Sequence, residues 1–252
     1  MQSITLHLAV LAVSLFAMQA ANAESFDWAG TYAGISLGAR QVESDWTTTS
    51  YQDPDGIPIP FVTDPNASLD STDFFVNGFA GYNWIVAPRT ILGVEGNMGY
   101  ANIDDTHTTI PGVFDAPPDF SFIEAETTWA GSLRGRAGYL ITPSVHLYGT
   151  AGVAVASAEL EAVCPADTDF CNPAFGTIAA SDSETLVGWI AGAGMEAVLI
   201  NNLLVRFEFN YADYGTMDFD GLPAIAGESF GFTSDVDFTS YALTLGLVYK
   251  FR

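Results

Sequence analysis

The chain has 252 residues, with 30 Asp or Glu against 7 Lys or Arg and a formal net charge of −23. No basic footprint exists for nucleic acid, which excludes that class of partner. The length, 24 glycines, 18 phenylalanines and 10 tyrosines suit one large all-β domain.

Residues 1–23 read as a secretory signal peptide. Positions 4–20 are mostly apolar, and Ala21-Asn22-Ala23 forms a small-x-small cleavage site, so export is expected to cut between Ala23 and Glu24 and leave a domain over 24–252. The leading residues carry no Lys or Arg, only His7. The alternative, an uncleaved N-terminal anchor, is disfavoured because the apolar run is short for a bilayer-spanning helix. Further on there is no run of about 18 apolar residues, so any membrane passage must be by a closed barrel, since lipid offers no partner to open backbone groups.

Residues 26–40 predict a first strand, with Ala33, Ile35, Leu37 and Ala39 on one face and Arg40 on the other. Positions 43–72, with Pro54, Pro58, Pro60 and Pro65 among Asp and Thr, predict a long loop. A second strand over 74–85 and a third over 91–103 flank the short turn Ala87-Pro88-Arg89-Thr90; the third directs Glu95 and Asn97 inward. A second loop is expected over 104–125.

The chain is organised around the stretch 129–141, WAGSLRGRAGYLI. Trp129, Leu133, Tyr139 and Ile141 share one face, and Arg134 and Arg136 share the other with very small neighbours. Two guanidinium groups among small residues suit an enclosed interior, and aromatic residues at both ends of the apolar face suit the two girdles of a membrane-spanning strand. A soluble half-buried strand is the competing reading.

After the turn Thr142-Pro143-Ser144 come a fifth strand over 145–160, with His146, Tyr148 and Thr150 inward, a loop over 161–183, and a sixth strand over 184–199 with Glu196 inward. Asn201-Asn202 turns into a seventh strand over 203–214, where Leu203, Val205, Phe207, Phe209 and Tyr211 oppose Leu204, Arg206, Glu208 and Asn210. A fourth loop, 215–234, precedes a last strand over 235–251 with Lys250 inward. The expected fold is all-β: an eight-stranded antiparallel transmembrane β-barrel with four long outer loops and three short periplasmic turns. The strict alternation of long and short connections and the apolar-outside polarity favour it over a soluble barrel.

Arg40, Arg134, Arg136, Arg206 and Lys250 fall on inward positions, as do Glu95, Glu196 and Glu208. Isolated ions in a narrow barrel are costly, so these eight are expected to form an interior charged network that fills the lumen; a conducting constriction is the sharper alternative. Most other acids lie in the expected loops without regular metal-ligand spacing, and Asp53-Pro54-Asp55-Gly56 lacks the remaining positions of a calcium loop. No metal and no cofactor are expected. Cys164 and Cys171 in the third loop are expected to form a disulfide, as paired cysteines of exported proteins do. No nucleophile-base pattern can be placed, and no catalytic residue is assigned.

Trp28-Ala29-Gly30-Thr31-Tyr32-Ala33-Gly34 resembles the opening of the opacity-type porin family, small alphaproteobacterial outer-membrane proteins. Gly81-Tyr82-Asn83-Trp84, Leu92-Gly93-Val94-Glu95-Gly96, 133–139, Gly194-Met195-Glu196, 206–209 and the closing Val248-Tyr249-Lys250-Phe251 resemble its later blocks in order. The resemblance implies a barrel akin to the transmembrane domain of outer membrane protein A, located in the outer membrane. It also implies that Tyr249 and Phe251 serve as an insertion signal for the barrel assembly machinery, although here Arg252 follows. Outer-membrane lipid and lipopolysaccharide are the implied surroundings, and a monomer is expected. A structural or surface role is the leading expectation, a narrow porin for small solutes or ions the alternative, and a surface-exposed enzyme or adhesin the second.

Overall fold

The computed structural model describes residues 26–53, 55–107, 110–112, 122–164, 177–221 and 231–251. The expected signal peptide and Cys171 lie outside them. Cys164 is described only as the last residue of a strand, so the expected disulfide is not described either.

Among the described residues there are eight strands: β1 Gly30–Gln52, β2 Asn66–Ala87, β3 Thr90–His107, β4 Phe122–Thr142, β5 Val145–Cys164, β6 Ile178–Ile200, β7 Leu203–Asp220 and β8 Gly231–Lys250. Each pairs antiparallel with its sequence neighbour, and β8 pairs back onto β1 to close a barrel. The described prolines, Pro58, Pro60, Pro65, Pro88, Pro111 and Pro143, lie between strands, where a missing N–H breaks no ladder. In the two-residue link Pro88-Arg89, proline sets the first φ and Arg89 takes the left-handed region at φ 70°; Asn201 does the same at φ 48° in its turn.

The strands are 18 to 23 residues long, about twice the 9–11 needed to cross a bilayer. In the lower half, nearest the short turns, large apolar side chains face outward: Ile35, Leu37, Val94, Leu133, Leu147, Phe207 and Leu245 are all exposed. Aromatic residues bound this belt, with Tyr82, Trp84, Tyr139, Tyr249 and Phe251 below and Phe74, Tyr100, Trp189, Tyr211 and Tyr241 above. From Tyr241 to Phe251 the strand climbs about 33 Å, or about 25 Å along the membrane normal at a tilt near 40°, the height of the apolar band of an outer-membrane barrel.

Above the upper girdle the polarity inverts. Outward positions become Glu43, Asp45, Thr47, Asp70, Glu124, Glu126, Glu159, Glu161, Asp218 and Asp237, while Val42, Trp46, Leu69, Ile123, Leu160, Phe219, Val236 and Phe238 are buried inside. The register changes at the same height. Pairing of β2 with β3 stops at Val76–Tyr100 and pairing of β6 with β7 stops at Trp189–Asp213, whereas the other six seams continue. The upper part is therefore a crown of two four-stranded sheets, β7-β8-β1-β2 and β3-β4-β5-β6, packed over an apolar core. The first sheet supplies Trp46, Tyr51, Phe75, Tyr214, Phe219, Phe232 and Phe238. The second supplies Ala101, Ala125, Ala130, Ala154, Ala156, Ala158 and Ala162 beside Ile103, Ile123, Leu160 and Leu186, so large side chains on one wall fill much of the space left by small ones on the other.

This corrects the expected loop boundaries. Each of the four segments read as loops, 43–72, 104–125, 161–183 and 215–234, begins and ends in strand, and the stretches between strands narrow to 53–65, 108–121, 165–177 and 221–230. The alternation persists there in the opposite phase, polar outside and apolar inside, and a reading keyed to lipid-facing residues sees only its polar half.

The outer face of β3-β4-β5 sets acids directly against acids: Asp104 faces Glu126, Glu126 faces Glu159, and Glu124 faces Glu161. Like charges directly opposed across a ladder destabilise it. Partial desolvation first, then Glu161, Asp104, Glu126 and Glu159, raise the Glu124 carboxyl above its ordinary value. Because this value lies higher in the folded than in the unfolded chain, folding takes up protons as pH falls through it, and stability declines as pH rises through the same interval. The crown should therefore resist urea better at pH 5 than at pH 7, with a smaller gain in Glu124→Gln. Equal midpoints in the native protein at the two pH values would contradict this.

Candidate functional site in the barrel interior

The interior below the crown is built in layers. At the bottom, the segment before β1 folds under the barrel. Trp28 is buried, donates its indole N–H to the Pro143 carbonyl at 3.0 Å, and joins Tyr32, Phe79, Ile91, Leu204 and Val248 in an apolar cluster. Large inward side chains are admitted by inward glycines on the neighbouring strand: a Cβ at Gly81 would meet Tyr32 Oη at 2.4 Å, and one at Gly194 would meet the Tyr148 ring at 2.5 Å.

Above this lies an ionic layer of three arginines and three glutamates, all buried. Arg206 is its hub. Its Nη2 lies 2.7 Å from Glu95 Oε2 and 2.6 Å from Glu196 Oε1, its Nε donates to Glu196 Oε1 at 2.9 Å, and its Nη1 is 3.8 Å from Glu208 Oε2. Arg136 bridges Glu196 at 3.0 Å and Glu95 at 3.4 Å. Arg134 bridges Glu95 and, at 3.0 Å, Glu208. Three positive and three negative charges thus cancel inside one layer, which is how buried ions become tolerable.

Neutral groups complete the carboxylate shells. Tyr32 Oη donates to Glu95 at 2.8 Å while accepting from Arg136 at 2.8 Å; Tyr148 Oη donates to Glu208 at 2.6 Å; Asn210 donates to Glu208 and accepts from Arg134. The guanidinium planes rest on rings, Arg206 on Phe79 at 3.8 Å and Arg136 on Tyr148 at 4.0 Å. His146 is fully buried, stacks on Tyr148 and lies 3.4 Å from Glu196.

Of the eight charged residues expected to act together, the structure brings together six: Glu95, Arg134, Arg136, Glu196, Arg206 and Glu208. Arg40 is buried and inward but stands higher, at the base of the crown. Its Nη2 donates to Tyr214 Oη at 3.2 Å, the rings of Phe75 and Tyr214 flank it, and no carboxylate pairs with it among the described residues. Lys250 sits at the bottom rim and donates to the Phe251 carbonyl at 2.7 Å. Both have inward parity and the wrong height. Tyr249 and Phe251 face outward at the lower girdle, edge to face at 5.1 Å. The sequence places Tyr148 among the large inward side chains that fill the lumen, places His146 and Asn210 inside without a role, and gives none to Tyr32 or Trp28. An aromatic hydroxyl with inward parity beside inward charges was the usable signal.

The sequence model of the family described as "Outer membrane protein beta-barrel domain" matches residues 8–251. The 22 kDa outer membrane protein of Rhizobium leguminosarum bv. viciae is 32% identical over 68% of this chain and 64% of that protein, just under two thirds of its length. The 25 kDa outer-membrane immunogenic protein of Brucella ovis is 30% identical over 77% of this chain and 73% of that protein. Among solved structures, the outer membrane protein OprG from Pseudomonas aeruginosa shares the fold with a TM-score of 0.50 at 16% identity, covering 88% of this chain and 97% of that one.

Proposed function

This chain belongs to the outer membrane protein beta-barrel domain family and resides in the outer membrane, and we propose that within it the chain is a non-enzymatic, closed barrel that anchors and displays the acidic two-sheet crown at the cell surface. The observation that carries this reading is the sequence of side-chain layers along the lumen: the Trp28 cluster, the ionic layer and the crown core. Eight strands enclose a space that side chains can fill, and here aromatic rings and paired ions occupy successive levels. A narrow pore would need a continuous wet path through all three. The proposal includes a monomeric barrel, lipid contact through the apolar belt, and insertion by the barrel assembly machinery through Tyr249 and Phe251.

Planar-bilayer recording tests it. The intact protein should give no large, steady single-channel steps, and Arg134→Ala, which removes one wall of the ionic layer, should give brief or noisy openings. Large steady steps from the intact protein, unchanged in Arg134→Ala, would establish a pore and remove the closed-barrel reading.

A further inference from the structure

We propose that the cleft between β6 and β7 in the crown binds an extended, lysine- or arginine-bearing segment of a partner protein as an added strand. It rests on the surface-display reading, but its test does not involve conductance, so either can fail alone.

Three observations carry it. First, the two strands part above Trp189–Asp213, leaving β6 over 178–188 and β7 over 214–220 without a neighbour on that side among the described residues. The backbone N–H and C=O groups these edges leave unpaired are a template on which an added strand can form.

Second, the cleft is acidic in a particular way. On β6, Asp182 pairs with Leu160 and Glu184 with Ala158. Those partners are buried in the core, so the two acids lie on the inward face of β6, yet both are exposed. They are two residues apart on one side of the strand, the spacing of alternate side chains on an incoming strand. Asp218 and Asp220 are exposed on the β7 edge.

Third, the crown has little of its own to neutralise them. Of the seven cationic side chains of the whole chain, Arg40, Arg89, Arg134, Arg136, Arg206, Lys250 and Arg252, only Arg40 reaches the crown, buried at its base against Phe75 and Tyr214 with no carboxylate partner among the described residues. Inward charges on an edge discourage pairing with another like-charged edge, so a second copy of this chain, equally acidic, is disfavoured, while a cationic strand is not. At the opposite cleft, between β2 and β3, no strand carries two exposed acids on its inward face among the described residues. In strand addition of this kind main-chain hydrogen bonds give affinity and side chains give selectivity.

The probe is an alternating Lys–Thr peptide of about ten residues, longer than a typical strand, added to the full-length protein in neutral bilayer discs. Fluorescence anisotropy should show saturable binding, and amide exchange should slow over 178–188 and 214–220. An N-methylated peptide of the same charge, and the Asp182→Asn/Glu184→Gln double variant, should each bind about tenfold or more weakly, equivalent to roughly 1.4 kcal/mol. Asp73→Asn, at the other cleft, should change binding by less than about twofold, within the usual effect of a distant surface charge. The proposal is overturned by no saturable binding, by equal binding of the N-methylated peptide to the native protein, or by protection confined to β2 and β3.

Discussion

Replacing Arg206 with alanine is expected to destabilise the barrel by about 3–5 kcal/mol, the cost of breaking a buried ion pair by removing one partner. Arg206 touches all three glutamates of the layer. Without it, Glu95, Glu196 and Glu208 face only Arg134 and Arg136, and one negative charge is left over in a space lined by Tyr32, Phe79 and Tyr148. Unfolding by urea after reconstitution into lipid bilayers measures the loss. The double variant Arg206→Met/Glu196→Gln restores neutrality and should recover at least half of it, because a neutral replacement of similar volume removes the desolvation term along with the attraction. A loss below about 1 kcal/mol for Arg206→Ala would place the layer with exposed, screened pairs.

That layer also marks how far the sequence could be read. Glu196 and Arg206 lie directly opposite near the two-residue turn Asn201-Asn202, but a bulge between Val198 and Ile200 shifts the register by one, so counting outward from the turn would set Glu196 against Phe207; their shared inward parity is legible in the sequence and their pairing is not. Glu95 and Arg134 are also direct partners, but a long connection separates them, and no count of residues across such a loop fixes a register. Period-two alternation says which face a residue takes and nothing of its height, which is why Arg40 and Lys250 were grouped with ions they do not reach. Height follows from the stagger between strands, a property of the closed sheet as a whole. The crown was missed for a related reason. In 203–214 the apolar set faces lipid, whereas in 42–48 the apolar and hydroxyl-bearing residues, Val42, Ser44, Trp46 and Thr48, face inward and the acids face water. The change of environment at the upper girdle swaps the phase along a continuous strand.

The crown core predicts the second large effect. Trp46→Ala should cost about 3–5 kcal/mol, the range for removing a buried Trp or Phe, and the cost should fall on the crown alone. Trp46 is 1% exposed and lies edge-on to Phe219 at 5.4 Å. Its indole N–H has no hydrogen-bond partner among the described residues, so the change removes packing and forfeits no hydrogen bond there. The facing sheet is lined largely by alanines, which have no side-chain freedom with which to reach into the hole, so the cavity should persist and place the cost high in the range. Since whole domains are stable by only about 5–15 kcal/mol, a loss of this size should open the crown before the barrel. Hydrogen exchange decides it: amides of 42–52, 214–220 and 231–240 should lose protection in Trp46→Ala, while those around Glu95, Arg134 and Arg206 keep theirs, and Trp46→Phe should recover most of the difference. Equal loss of protection at both levels would mean that the two-sheet crown and the barrel beneath it open as one cooperative unit.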